Sequence, residues 1–191
     1  MADELKGRKI AILATDGFEE SELFEPREAL EQAGARTYVL SPKAGEIIQG
    51  VKHNKVGGSV RVDLPLELAN ADEFDAVLLP GGALNADKLR ADIKAQEFVR
   101  KIERAGKPIA VICHGPWLLV SAGLVRGRTL TGYHTIQDDI RNAGGRWVDE
   151  EVVRDRNWVS SRKPSDIPAF IDSMIDLFSE VQPGMPASAY V

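Results

Sequence analysis

The chain has 191 residues, 43% hydrophobic and 28% charged, with a net charge of −5. This is the composition of one soluble globular domain, and with no basic tract it speaks against nucleic-acid binding. One cysteine and three histidines exclude an internal disulfide and leave too few ligands for a structural zinc site, so neither a metal nor a cofactor is expected. No apolar run is long enough to span a bilayer, and MADELKGRK lacks a signal-peptide core, so a cytoplasmic protein is expected.

In chain order, RKIAILAT (8–15) reads as a buried strand: short, apolar and bounded by charge and Asp-Gly. SELFEPREALEQAG (21–34) spaces its apolar residues as a helix, with Gly34 as its stop and Pro26 in its first turn. ARTYVLSP (35–42) is a second strand. Residues 45–65, rich in glycine and short alternating runs, read as an excursion with small strands or a hairpin. FDAVLLPGG (74–82) is a core strand closed by a Gly-Gly turn, and a helix follows over 93–105. PIAVIC (108–113) is a core strand, PWLLVSAG (116–123) a short helix, TLTGY (129–133) a strand and IQDDIRNAG (136–144) a helix. Two or three short strands are expected over 145–162 and a terminal helix over 165–181. The tail 182–190 is either loose or packs Met185 and Tyr190 across an interface. Strands alternating with helices imply an α/β fold with a mostly parallel central sheet covered on both faces, in one domain over 1–191 with its core at about 7–180. Ligands of such sheets bind beyond the carboxyl ends of the strands, where DGFEESE, PGG and CHGP all fall.

Cys113 stands where a strand gives way to a helix, the setting of a nucleophile elbow, and helix N–H groups there favour thiolate. Thiolate chemistry needs a proton shuttle, and His114 is adjacent. A third group should orient the imidazole; Glu19, Glu20, Glu22 and Asp87 are candidates. Consecutive amides of the PGG turn, Gly81 and Gly82, suit a developing oxyanion. His53 reads as an ordinary surface histidine.

The stretches DGFEESEL, FDAVLLPGG, GKPIAVICHGPWLLVSAGLVRGR, DDIRNAGGRWVDEEVV and NWVSSRKPSD resemble the DJ-1/PfpI superfamily, in particular its PfpI-like intracellular protease, general stress protein and deglycase branch. The resemblance implies a flavodoxin-like three-layer α/β/α sandwich and a homo-oligomer, a dimer or a hexamer, with the active site near a subunit interface. It matches Cys113 to the nucleophile, His114 to the histidine after it and Glu22 to the acid against it. With a one-residue gap it matches Asp87 to an acid supplied by a neighbouring subunit. Gly81 or Gly82, with the His114 amide, would form the oxyanion site, and Tyr133, which hydrogen-bonds or simply packs, and Glu19 complete the pocket. Where many DJ-1-like members carry a histidine, this chain has Tyr133 with His134 beside it, which favours the PfpI branch.

A carboxylate beside a thiolate is a like-charge pair, so Glu22 and Cys113 are expected to share a proton that stabilises thiolate or sulfinate. The same residues therefore fit two functions. One is a stress-related cysteine hydrolase acting on small carbonyl adducts or peptides. The other is a non-enzymatic oxidative-stress sensor working through Cys113 sulfinate. No feature points to a plain holdase chaperone.

Overall fold

The computed structural model describes residues 4–43 and 47–180; the tail reading at Met185 and Tyr190 lies outside them. In chain order the elements are β1 (Lys9–Leu13), α1 (Glu20–Gln32), β2 (Arg36–Ser41), β3 (Ile47–Lys52), β4 (Lys55–Arg61), β5 (Leu64–Pro65), β6 (Ala76–Leu79), α2 (Ala83–Ala91), α3 (Ile93–Arg104), β7 (Ile109–Ile112), α4 (Pro116–Ser121), β8 (Thr129–Leu130), α5 (Gln137–Asn142), β9 (Arg146–Trp147), β10 (Val152–Asp155), β11 (Trp158–Ser161) and α6 (Ile167–Ser179).

Among the described residues, seven strands form one sheet in the order β10-β11-β7-β6-β1-β2-β5. All its pairs are parallel except β10 with β11. The strands are apolar without alternation because both faces are covered. Ile10, Ile12, Ala76, Leu78, Ala110 and Ile112 face a core shared with Leu23 and Leu30 of α1 and Phe170 and Met174 of α6. Ala11, Leu13, Val77, Leu79, Ile109 and Val111 face a second core with Val99 and Ile102 of α3 and Leu118 and Leu119 of α4. The result is a three-layer α/β/α sandwich of flavodoxin-like form. The chain leaves β1 toward β2 on one side and later returns to β6 on the other. The strand order thus reverses at β1, and the crevice at its carboxyl end is the place such sheets reserve for ligands.

Three local expectations change. Helix α1 starts at Glu20, so Pro26 lies inside it, not in the first turn. Its ring withholds the hydrogen bond that the Glu22 carbonyl would otherwise accept. The strand expected over 129–133 shrinks to β8, which pairs with β9 in a ladder separate from the main sheet. A helix not anticipated, α2, directly follows the Gly-Gly turn. Its pattern hides it: Leu84 is 62% exposed while Asn85 is fully buried.

At the amino ends of β7 and β11 sits a buried ionic cluster. Arg128, 5% exposed, pairs with Glu103, donates to the Asp155 carbonyl and Asn157 Oδ1, and lies 4.3 Å over the Trp158 ring. Glu103 also accepts from Trp158 Nε1 at 2.7 Å and Asn157 Nδ2 at 3.0 Å. The cluster ties α3 to the β10–β11 turn, at the opposite end of the sheet from the crevice. Among the described residues no helix is long and apolar enough to cross a membrane, and no group of three or more His, Cys, Asp or Glu is placed to hold a metal ion.

Candidate active site

Strand β7 delivers Cys113 to the crevice in the left-handed region, at φ 62°. A non-glycine residue there is strained by about 1 kcal/mol or more and persists only when its surroundings fix it. They do: the Cys113 N–H donates to the Ser161 carbonyl at 3.1 Å, and the Cys113 carbonyl accepts from Tyr133 N–H at 2.8 Å. A Cβ at Gly115 would meet the Leu79 and Ile112 carbonyls, so only glycine lets the chain turn into α4 at once.

The elbow turns the side chain toward a cavity of about 470 Å³. Cys113, His114, Glu19, Glu22, Gly82 and Tyr133 line it. Cys113 Sγ lies 3.2 Å from His114 Nδ1. At that distance a thiol donates to the bare nitrogen, and an imidazolium donates back to thiolate. The other ring nitrogen of His114 faces Thr135 Oγ1 at 3.5 Å, and among the described residues no carboxylate is hydrogen-bonded to it. The ring is held by packing, stacked on Tyr133 at 4.8 Å and edge-on to Trp117 at 5.3 Å. Burial and the neighbouring His134 lower the His114 pKa, so the ring is neutral at neutral pH.

Glu22, at the third position of α1, is fully buried against the sulfur. Neither carboxyl oxygen has a full hydrogen bond, although the Cys113 thiol and the Gly81 amide lie close enough to favour the charged form. Burial outweighs them, and with Glu19 nearby it pushes the Glu22 pKa up to about 8. A helix N-terminus favours a carboxylate by about 1 kcal/mol at most on exposed sites, less than removing it from water costs. Burial, followed by the charge of Glu22, also drives the Cys113 thiol well above its usual pKa, while the Gly82 and His114 amides pull it down. At the sulfur, the pull of these two amides thus works against burial and the charge of Glu22. Once Glu22 holds the proton, its repulsion vanishes and its O–H becomes a donor toward the sulfur.

The PGG turn has room for no side chain. A Cβ at Gly81 would collide with Glu22 Oε2 and Cys113 Cβ, and one at Gly82, φ 86°, with backbone of residues 17–19. The two glycines divide the work: the Gly81 amide faces Glu22, and the Gly82 amide faces the sulfur. Glu19 and Glu20 clamp the β3–β4 hairpin over the cavity. Glu19 accepts from His53 N–H at 3.0 Å and Glu20 from Gly58 N–H. The hairpin adds Val51 and His53 to the rim, and His53 is exposed, as expected of a surface histidine. Asp87 is not at the cavity of its own chain; it lies exposed on α2.

A match to the DJ-1/PfpI family spans residues 8–177. The chain belongs to the DJ-1/PfpI family. It is 46% identical over 169 residues to the protein named deglycase PfpI of Pyrococcus furiosus, covering 88% of this chain and 98% of that one. It is 41% identical over 165 residues to general stress protein 18 of Bacillus subtilis, covering 86% and 94%. Among solved structures it resembles a two-domain protein of Anabaena variabilis containing DJ-1/ThiJ/PfpI-like and ferritin-like domains. The TM-score is 0.83 at 36% identity, covering 88% of this chain and 47% of that one, so this chain spans about half of that protein.

For this DJ-1/PfpI family member, sequence reasoning missed part of the wall. Lys163, Pro164 and Ser165 line the cavity from the carboxyl end of β11, which runs parallel to β7. The rule that picked out the loops after β1, β6 and β7 applies equally to this one. Asn85 was missed along with α2, since nothing in its residue type marks it as buried.

The Glu22 proton has a thermodynamic signature. A carboxyl with pKa 4.5 unfolded and about 8 folded contributes stability that is complete below about pH 4.5. That stability is lost as pH rises to about 8, because the native state binds the extra proton in this window. Wild-type unfolding free energy, from urea titrations at pH 5 and pH 8.5, is expected to fall across the window by on the order of a few kcal/mol. In Glu22→Gln this fall should largely vanish; equal slopes in the two proteins would remove the case for a protonated Glu22.

Proposed function

We propose that this protein is a stress-related, cysteine-dependent hydrolase that releases amines from small carbonyl adducts or peptides. The observation that carries the reading is the strained Cys113, with Sγ 3.2 Å from His114 Nδ1, opening on a cavity sized for a small substrate. His114 takes the thiol proton as sulfur attacks the electrophilic carbon. The Gly82 and His114 amides, both directed at the sulfur, receive the negative charge that develops beside it. Collapse expels the amine, which leaves with the proton from His114. Water, deprotonated by the same imidazole, then displaces sulfur and returns Cys113 to the thiol. Glu22 keeps its proton throughout and donates toward the sulfur. The names of the Pyrococcus and Bacillus relatives, a deglycase and a stress protein, support this choice of chemistry. The test is release of free amine from methylglyoxal-treated N-acetyl-lysine and from an unfolded peptide, compared with Cys113→Ser. Turnover by the variant rejects the covalent route.

Among the described residues no carboxylate is hydrogen-bonded to His114, and Asp87 is exposed on α2 beside Leu84, itself 62% exposed. This supports a homo-oligomer, a dimer or hexamer, in which Asp87 of one subunit orients His114 of the next. Asp87→Asn is then expected to lower kcat by about 10²-fold without dissociating the oligomer. Mixed and reassembled Cys113→Ser and Asp87→Asn subunits should recover roughly a quarter of wild-type turnover, since heterodimers hold one intact site. Full activity of Asp87→Asn, or no recovery on mixing, removes Asp87 from the triad.

A second reading, an oxidative-stress sensor, is favoured by one observation: the buried, protonated Glu22 is a ready donor to a sulfinate on Cys113. Peroxide that converts Cys113 to sulfinate quickly, in a protein without amine-releasing turnover, would favour it.

A further inference from the structure

Asn85 is fully buried inside α2, a position where asparagine is a poor helix former and a burdensome core residue. It is nevertheless bonded on both sides of its amide. Oδ1 accepts from Thr15 N–H at 2.7 Å; Nδ2 donates to the Pro80 carbonyl at 3.1 Å and the Gly81 carbonyl at 2.9 Å. One backbone donor faces one end of the amide and two backbone acceptors face the other, so the amide has a single sensible orientation. The side chain thereby joins the loop after β1 to the turn after β6.

The geometry of a peptide unit gives this bond a further effect. The C=O of Gly81 and the N–H of Gly82 belong to one trans peptide and point in opposite directions. The Gly81 carbonyl is held by Asn85 Nδ2 and, more loosely, by Glu19 N–H at 3.4 Å. Both anchors lie on the side away from the sulfur. Neither glycine has a side chain to stop the peptide from rotating, and Gly82 sits at φ 86°, where glycine moves freely. Without its anchor the Gly81–Gly82 peptide loses the bond that fixes its orientation.

We propose that Asn85 is a positioning residue: by holding the Gly81 carbonyl it aims the Gly82 N–H at the Cys113 sulfur and at the oxygen of a bound carbonyl. Asn85 touches no substrate itself. It supplies the fixed orientation on which a preorganised donor depends. A purely structural asparagine would contribute to stability and leave the behaviour of the sulfur unchanged.

The experiment compares Asn85→Asp and Asn85→Ala with the wild type. Asp has the same shape and can still accept from Thr15, and above the pH at which its carboxyl ionises it cannot donate to Gly81. The first readout is the pH midpoint of Cys113 alkylation by iodoacetamide, followed by intact mass. It is expected to move upward by about one unit in both variants. The second is steady-state kinetics, where kcat should fall by about 10²-fold with KM changed less than about threefold. Folded variants with lower thermal stability but unchanged midpoint and kcat overturn the proposal.

If neither variant folds, an NMR titration of the wild type decides. The Gly82 amide proton must shift in step with Cys113 ionisation while the Asn85 amide protons stay protected from exchange; a Gly82 resonance indifferent to Cys113 overturns the proposal. The kinetic readout rests on the hydrolase reading, whereas the alkylation readout does not. An active Cys113→Ser enzyme together with a shifted Asn85→Asp midpoint would reject the cysteine-dependent route and keep the positioning role. An inactive Cys113→Ser enzyme with an unshifted Asn85→Asp midpoint would do the reverse.

Discussion

Cys113→Ser is expected to lower kcat/KM for amine release by at least about 10⁴-fold while the protein stays folded. The oxygen nucleophile has the same number of heavy atoms and meets the same amides. It carries the same left-handed backbone strain, φ 62° in the wild type, so the elbow has no reason to rearrange. What changes is acidity. A serine hydroxyl beside a neutral imidazole, with no carboxylate of the described residues bonded to that imidazole, is a far poorer source of anion than a thiol. The measurement is initial rate on methylglyoxal-treated N-acetyl-lysine, with near-UV circular dichroism to show that packing persists. Residual activity above about a tenth of wild type cannot be reconciled with attack by sulfur.

Arg128→Met is expected to destabilise the fold by about 3–5 kcal/mol, read from urea unfolding, and to leave kcat of the folded protein nearly unchanged. Removing the guanidinium leaves Glu103 with only Trp158 and Asn157 as partners. It also leaves the Asp155 carbonyl and Asn157 Oδ1 without the donor they had. A carboxylate deprived of its buried counter-ion costs more than the lost pair contributed, so neutralising both in Glu103→Gln/Arg128→Met should recover most of the loss. Because the cluster sits at the amino ends of β7 and β11, it is separated from Cys113 by the length of the strands. A large fall in kcat in the folded variant would mean that the two ends of the sheet are coupled.

Strands such as IAVI of β7 and AVLL of β6 were legible because burial on both faces demands unbroken apolar runs. From their alternation with helices the layered fold followed, and with it the end of the sheet where chemistry belongs. Cys113 and His114 were legible for the same reason: a polar pair directly after such a run has to lie at the crevice. Helix α2 was not, because a buried Asn85 and an exposed Leu84 invert the usual pattern. Nor was the division between Gly81 and Gly82, which depends on peptide orientation and leaves no trace in residue type. Pro26 misled because its residue type suits a first turn, whereas α1 begins six residues before it, at Glu20. The protonation of the Cys113–Glu22 pair lay between the two kinds of case. Proximity of like charges was readable, but the depth of burial that raises both groups was not.

The β3–β4 hairpin has a consequence of its own. It belongs to no strand order of the main sheet and is fastened by backbone contacts from Gly17 and Phe18, by the three carboxylates of Asp16, Glu19 and Glu20, and by Ile48 and Val60 set into the core. Its remaining surface, including Val56 at 83% exposure, faces outward. The mouth of the cavity is therefore a separable part, free to change in length and chemistry while the elbow behind it stays fixed. Descendants of such a chain could widen their range of accepted molecules by editing one ribbon, without disturbing the packed layers that hold the sulfur in place.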